Sequence, residues 1–257
     1  MSASFSGMLI KGIEYFSLPF QYPWRFLPLF EKVFSDRSLV HEMPRLTPHR
    51  TWFRSLGLRT VVDVGSYTGS FAYAMRHILP QVQIYSFEPL QDNYARLVKN
   101  LSPLGNFQAF NIALGEYGGE LKFNRSNFSP SSSALEMGDL HRQAFPHSAQ
   151  TTTLQVPVAR LDEFLDKMEL TPPVFLKIDV QGYEDAVLCG AAKVLERVDY
   201  LEIEVSYQSL YSDQVLFNGI YQILTELGFH FAGNLDSMFS PLDGSIMQSD
   251  ALFFRNK

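Results

Sequence analysis

From residue 60 onward, short runs of β-branched and aromatic residues alternate with stretches of helical periodicity. That is the pattern of βαβ units building a mostly parallel sheet. Strands are predicted over residues 60–65, 82–88, 107–114, 174–180, 200–206 and 251–254. Helices are predicted over 69–79, ending before Pro80, and over 92–101, 184–195 and 215–227. A further strand over 229–233 would pair with the last one as a C-terminal antiparallel hairpin. The expected class is therefore α/β, a Rossmann-like fold with helices on both faces of the sheet.

Two regions depart from this pattern. Residues 1–50 are aromatic and broken by Pro19, Pro23, Pro28, Pro44 and Pro48, which divide any long helix into short pieces. They read as an N-terminal extension to a domain over 51–257. Within the extension, 26–34 has the spacing of an amphipathic turn or two. A cap on the domain, a homo-oligomer contact and a peripheral membrane contact are the open readings, the last disfavoured because only Arg25 and Lys32 could meet a headgroup. The second region is an insertion over about 116–158. Its two short strands, 119–124 and 153–158, flank a polar segment with a serine run at Ser131, Ser132 and Ser133. Residues 126–150 are expected to form a lid or a wall of an acceptor pocket.

Composition narrows the function. A chain of 257 residues with 46% hydrophobic content can bury a full core without staples. The single cysteine, Cys189, excludes an internal disulfide and a cysteine zinc site, and no metal-ligating residues are assigned. A net charge of −6 and the lack of a Lys/Arg stripe argue against a nucleic-acid partner. No run approaches the roughly 18–20 apolar residues of a membrane span, and the start lacks signal-peptide features. A cytoplasmic protein is expected.

The chemistry concentrates where the first strand ends, at Asp63-Val64-Gly65-Ser66-Tyr67-Thr68-Gly69. A glycine turn that opens a helix lets a ligand approach the backbone and offers free amides to an anion. Glu88, followed by Pro89 at the end of the second strand, stands where an acidic side chain accepts hydrogen bonds from an adenosine ribose. A dinucleotide site would space three glycines for a pyrophosphate, but Ser66 and Tyr67 fill the middle of this turn. Asp63 would repel a pyrophosphate and suit the amino group and sulfonium of S-adenosylmethionine. An NAD-linked sugar oxidoreductase or epimerase is thus the less favoured enzyme, and a binding module that has lost catalysis is the non-enzymatic alternative.

These residues resemble the FkbM-type methyltransferases. The resemblance spans 60–257 and rests on the turn, on Phe87-Glu88-Pro89, on Asn111-Ile112-Ala113-Leu114-Gly115 and on Arg160-Leu161-Asp162. Most specific is Leu176-Lys177-Ile178-Asp179-Val180-Gln181-Gly182-Tyr183-Glu184. It implies a class I methyltransferase fold, S-adenosylmethionine as cofactor, and O-methylation of a hydroxyl on a sugar, glycan or related metabolite. It also implies cofactor contacts from Asp63, Gly65, Gly69 and Glu88, with Asn111 and Ala113 near the adenine. Ser66, Tyr67 and Pro89 flank these and join the cofactor-binding set. Many members carry Glu where this chain has Gln181, and the amide weakens any cation site there.

Asp179, at the carboxyl end of an apolar strand, is the first candidate catalytic residue, with helix capping as the structural alternative. Glu184 is open between the same two roles. Glu204, inside the run Ile203-Glu204-Val205, is the second catalytic candidate, although a paired sheet carboxylate is the commoner arrangement. His141 and His147 could line an acceptor pocket, and His230 sits between Phe229 and Phe231; a structural or exposed role is commoner for each.

Overall fold

The computed structural model describes residues 39–255. Most of the N-terminal extension, including 26–34 with its oligomer and membrane readings, lies outside the described residues. Among the described residues, no helix is long and apolar enough to cross a membrane.

The main sheet has seven strands in the order β3-β2-β1-β7-β8-β10-β9. They are β1 (Thr60–Val64), β2 (Gln83–Phe87), β3 (Phe107–Phe110), β7 (Val174–Ile178), β8 (Tyr200–Ser206), β9 (Phe229–Phe239) and β10 (Ile246–Arg255). β1 runs parallel to both β2 and β7, and only β10 runs against its neighbours, between β8 and β9. This is the Rossmann-like class I arrangement with the expected C-terminal antiparallel hairpin.

The central strands are apolar on both faces because helices cover both. Alternation divides them: Val61, Ile84 and Phe175 point into one core, while Val62, Tyr85 and Leu176 point into the other. The first core is closed by α1 (Met43–Leu46), α2 (Arg50–Ser55), α3 (Ser70–Ile78) and α4 (Gln91–Leu101). Pro44 and Pro48 stand at the starts of α1 and of a 3-10 turn at Thr47–His49, where the missing N–H costs nothing. Leu39, Val40, Met43 and Leu46 are buried there, so residues just before the sheet are part of its packing.

Several predicted elements differ in extent. The expected strand 107–114 is divided, because Asn111 Nδ2 donates to the carbonyls of Glu88 (2.9 Å) and Pro89 (3.0 Å) and steps the chain out of the sheet. Beyond that step β4 (Ala113–Leu114) joins a second sheet, order β4-β6-β5, with β5 (Gly119–Ser126) and β6 (Thr151–Ala159). The polar segment between β5 and β6 carries α5 (Asp139–Ala144).

The expected helix 184–195 is two short ones, α6 (Glu184–Cys189) and α7 (Ala192–Leu195). Asp162 Oδ1 accepts the Lys193 and Val194 amides and starts α7 afresh. β9 runs six residues past its expected end at 233, because an edge strand exposed on both faces loses its apolar alternation. Finally, α8 (Phe217–Glu226) precedes the hairpin and, with α6 and α7, covers the second core.

The break after α6 is also a close approach to the chain just past β4. A Cβ on Gly190 would lie 2.0 Å from the Gly115 carbonyl oxygen. Backbone cannot yield as a side-chain tip can. Gly190→Ala is expected to destabilise the fold by about 1–3 kcal/mol or more, read as a lower midpoint in urea denaturation. An unchanged midpoint would mean that the two backbones separate freely.

Candidate functional site

Three strands end in step. Val64 pairs with Phe87 on one side and Ile178 on the other, so Gly65, Glu88 and Asp179 follow side by side. The amides of Gly65 and Ser66 both donate to the Phe87 carbonyl, and the Asp179 amide donates to that of Val64. At Gly65, with φ +82°, a Cβ would meet the Asp179 carbonyl oxygen at 1.8 Å. No other residue fits between these strand ends.

A cavity of about 450 Å³ opens over this edge. Asp63, Gly65, Ser66, Tyr67, Glu88, Pro89, Ala113 and Asp179 line it. Gly69, Asn111 and Glu204 do not. Gly69, with φ +91°, lets α3 start against Leu97 and Leu101 of α4, which a Cβ would meet at 2.7 and 2.6 Å. Asn111 holds the loop carbonyls beneath the cavity floor.

Asp63 is fully buried, and among the described residues neither carboxylate oxygen has a hydrogen-bond partner. Burial pushes its carboxyl up to about 6, against the pull of Lys177. Glu88 is better satisfied. Its Oε2 accepts the Tyr67 amide at 2.9 Å, and its Oε1 accepts the Leu90 amide at 2.9 Å and Asn93 Nδ2 at 3.3 Å. Burial still raises it to about 7. Glu88 thus fixes the turn after β1 from the end of β2.

Asp179 is not a helix cap. Its Oδ2 receives Lys177 Nζ at 2.9 Å and its Oδ1 receives Gln181 Nε2 at 2.9 Å, with the side chain 30% exposed. The same Gln181 nitrogen donates to Glu204 Oε2 at 2.8 Å, and Gln181 Oε1 accepts the Tyr211 hydroxyl at 3.0 Å. Glu204 therefore stands one residue behind the cavity wall, its carboxyl driven well above the usual range by burial and then by Asp179. Glu184 does not cap the helix either: its Oε1 accepts the Val180 and Gly182 amides and so fixes the loop that leads into α6. Among the described residues, no group of three or more His, Cys, Asp or Glu is placed to hold a metal ion.

The insertion supplies a wall. Phe128, Ser129, Pro130, Ser132 and Ala134 face the cavity. Ser129 Oγ accepts Asn93 Nδ2 at 3.0 Å, and Ser133 Oγ donates to the Gln181 carbonyl at 2.6 Å. Neither His141 nor His147 reaches the cavity lining. His141 is buried against Phe145 and Tyr211, with Nε2 3.1 Å from Ser148 Oγ, and burial lowers it to about 4. His147 packs on Phe128 and Phe145, and His230 beside Phe254 on the outer strand.

Three acidic or basic lining residues have no counterpart among the predicted site residues: Lys177, His41 and Glu42. Lys177 could have been found as the one charge in an otherwise apolar five-residue strand. His41 and Glu42 leave no such trace, because they lie before the sheet in a proline-broken segment.

A family model described as the methyltransferase FkbM domain matches residues 63–231. The chain belongs to the FkbM methyltransferase family. The FkbM chain is 26% identical over 170 residues to 2-O-methyltransferase NoeI of Sinorhizobium fredii, covering 64% of this chain and 70% of that one. It is 25% identical over 144 residues to hexuronic acid methyltransferase AglP of Haloferax volcanii, covering 56% of this chain but only 54% of that relative. Among solved structures, an rRNA methylase from Streptococcus thermophilus superposes with a TM-score of 0.45 at 11% identity, over 83% of this chain and 97% of that one. This FkbM protein is a methyltransferase, and its cofactor is S-adenosylmethionine.

The buried acids give the FkbM fold a pH signature. Asp63 near 6, Glu88, Glu184 and Asp250 near 7, and Glu204 above its usual range all hold protons that the unfolded chain releases from about pH 4 upward. Folded protein then binds more protons than unfolded protein between about pH 4 and 7, so stability falls as pH rises through that window. His141 works in the opposite direction over the same window, and Glu42, held low, is fully ionised in both states above about pH 5. Five carboxyls outweigh one imidazole. Without ligand, calorimetric melting is expected at a higher temperature at pH 5 than at pH 7.5; the reverse order would mean these carboxyls are not buried as described.

Proposed function

We propose that this methyltransferase transfers the methyl group of S-adenosylmethionine to a hydroxyl oxygen of a sugar or glycan. The reading rests on one arrangement: Asp63, the Gly65 turn and Glu88 share a cavity with Asp179 at the adjoining strand end. The activities for which NoeI and AglP are named, 2-O-methylation and hexuronic acid methylation, support the acceptor class.

The residues present fit the cofactor. Asp63 has two buried oxygens with no partner, the complement of a cationic group. Glu88 uses three of about four acceptor positions, which leaves about one for a ribose hydroxyl rather than the expected pair. Ile112 and Ala113 offer an apolar wall to a base, and Ser66, Tyr67 and Pro89 shape the turn around it. The bound cofactor supplies an activated methyl group.

What remains for the protein is to orient a hydroxyl and receive its proton, with position contributing most of the barrier reduction. Asp179 is the group for this. Lys177 and Gln181 fix its two oxygens, and its partial exposure leaves it open to the cavity. A carboxylate is a weak base for an alcohol, so it accepts the proton late, as the oxygen becomes acidic during attack. Glu204 contributes through Gln181, which it shares with Asp179.

Glu88→Ala is expected to weaken S-adenosylmethionine binding by about tenfold or more in titration calorimetry. Unchanged affinity in a folded variant would remove Glu88 from the donor site. Asp179→Asn is expected to keep most cofactor affinity while transfer of tritiated methyl to neutral hexosides and hexuronosides falls by roughly 10² to 10⁴. Loss of cofactor affinity instead would place Asp179 at the donor. Transfer by the wild type to RNA or protein, and not to any sugar, would overturn the acceptor class.

A further inference from the structure

The corner of the cavity nearest Asp63 gathers more carboxyls than the cations of the described residues can pair. Arg45 is engaged three ways, at 2.6 Å from Glu42, 2.9 Å from Glu202 and 3.2 Å from Asp250. Lys177 is engaged by Asp179 at 2.9 Å. Among the described residues of this cluster, Glu42, Asp63, Asp179, Glu202 and Asp250 are five carboxyls set against two cations. Asp63, fully buried and on the cavity wall, has no hydrogen-bond partner at either carboxylate oxygen among the described residues.

Glu42 is the second acid that lines the cavity here. It stands at the N-cap of α1 without capping that helix, and its carboxylate turns instead to Arg45. Burial is the largest single influence and opposes its charge, but Arg45, His41 and Lys177 together outweigh it and hold the carboxyl well below the usual range. Among the described residues its other oxygen meets the Nδ1 of His41 at 3.3 Å, on a side chain that is 65% exposed at the cavity rim. Glu42 therefore stays charged, faces the cavity, and retains acceptor capacity.

We propose that Glu42 completes the donor site, its carboxylate taking the ammonium group of S-adenosylmethionine together with Asp63. This rests on the donor-site reading above and adds to it a residue that precedes the matched span of 63–231. The segment carrying α1 is then a functional part of the enzyme, and Arg45 is what positions it: the guanidinium ties Glu42 to β8 through Glu202 and to β10 through Asp250. The carboxylate end of the same donor is left to the amides at the start of α3, where Ser70 lines the cavity.

Two probes separate this contact from the rest of the donor site: S-adenosylhomocysteine, which carries the ammonium group, and 5′-methylthioadenosine, which lacks the whole amino-acid portion. In calorimetry on the full chain, Glu42→Gln is expected to weaken S-adenosylhomocysteine by about tenfold to a hundredfold, the range of a charge-assisted hydrogen bond. Methylthioadenosine should bind within about twofold of wild type. Glu88→Ala should weaken both probes.

Equal effects of Glu42→Gln on the two probes, or none on either, would overturn the proposal, while the Glu88→Ala result independently tests the donor site. Should Glu42→Gln fail to fold, a crystal structure of the wild-type complex with S-adenosylhomocysteine decides. Glu42 within hydrogen-bond distance of the ammonium nitrogen supports the contact. A separation beyond about 5 Å overturns it, since no direct hydrogen bond spans that gap.

Discussion

The parallel pairing of β1 with β2 and β7 governs everything else in this molecule. Because Val64, Phe87 and Ile178 are in register, the next residue on each strand emerges at the same level. Backbone hydrogen bonds continue past the sheet edge, from Gly65 and Ser66 to Phe87 and from Asp179 to Val64, so the turn and the two acidic positions are fixed relative to one another. The price of that closeness is a residue without a side chain at Gly65. Parallel strands leave their carboxyl ends open at the point where the chain changes direction, and a ligand site there is a consequence of topology.

Burial of charge is the second organising fact. Lys177 and Arg45 sit inside a network of carboxyls that solvent scarcely reaches, where interactions are stronger than at a surface and an uncompensated acid is costly. The network spans the turn, β7, β8, β10 and the segment before the sheet. A cationic cofactor would lower its electrostatic cost, so binding and stability are coupled through the same acids.

Gln181 shows how one amide settles a crowded corner. Its Nε2 donates to Asp179 and Glu204 at once, and its carbonyl accepts from Tyr211. A glutamate here would bring a third carboxylate against two others, a charge that would have to be neutralised by a proton or a cation. The amide bridges the pair without either. Tyr211 also reaches the Ser131 carbonyl at 3.2 Å, which links this corner to the wall formed by the insertion.

The sequence by itself determined the sheet and the edge that carries the site, since alternating buried strands and amphipathic helices, a glycine turn and strand-end acids are local patterns. It placed Asp63, Gly65, Glu88 and Asp179, whose meaning follows from their position at strand ends. It did not separate Gly69 and Asn111 from residues facing the cavity, because both serve the turn through packing and hydrogen bonds to partners distant in sequence. It could not divide 107–114 or 184–195, where the deciding partners are Glu88, Pro89 and Asp162 on other segments. Nor could it bring His41 and Glu42 to the cavity. Only the tertiary structure decided that, through Arg45 reaching β8 and β10, because ion pairs between residues about 160 to 200 positions apart leave no periodicity to read.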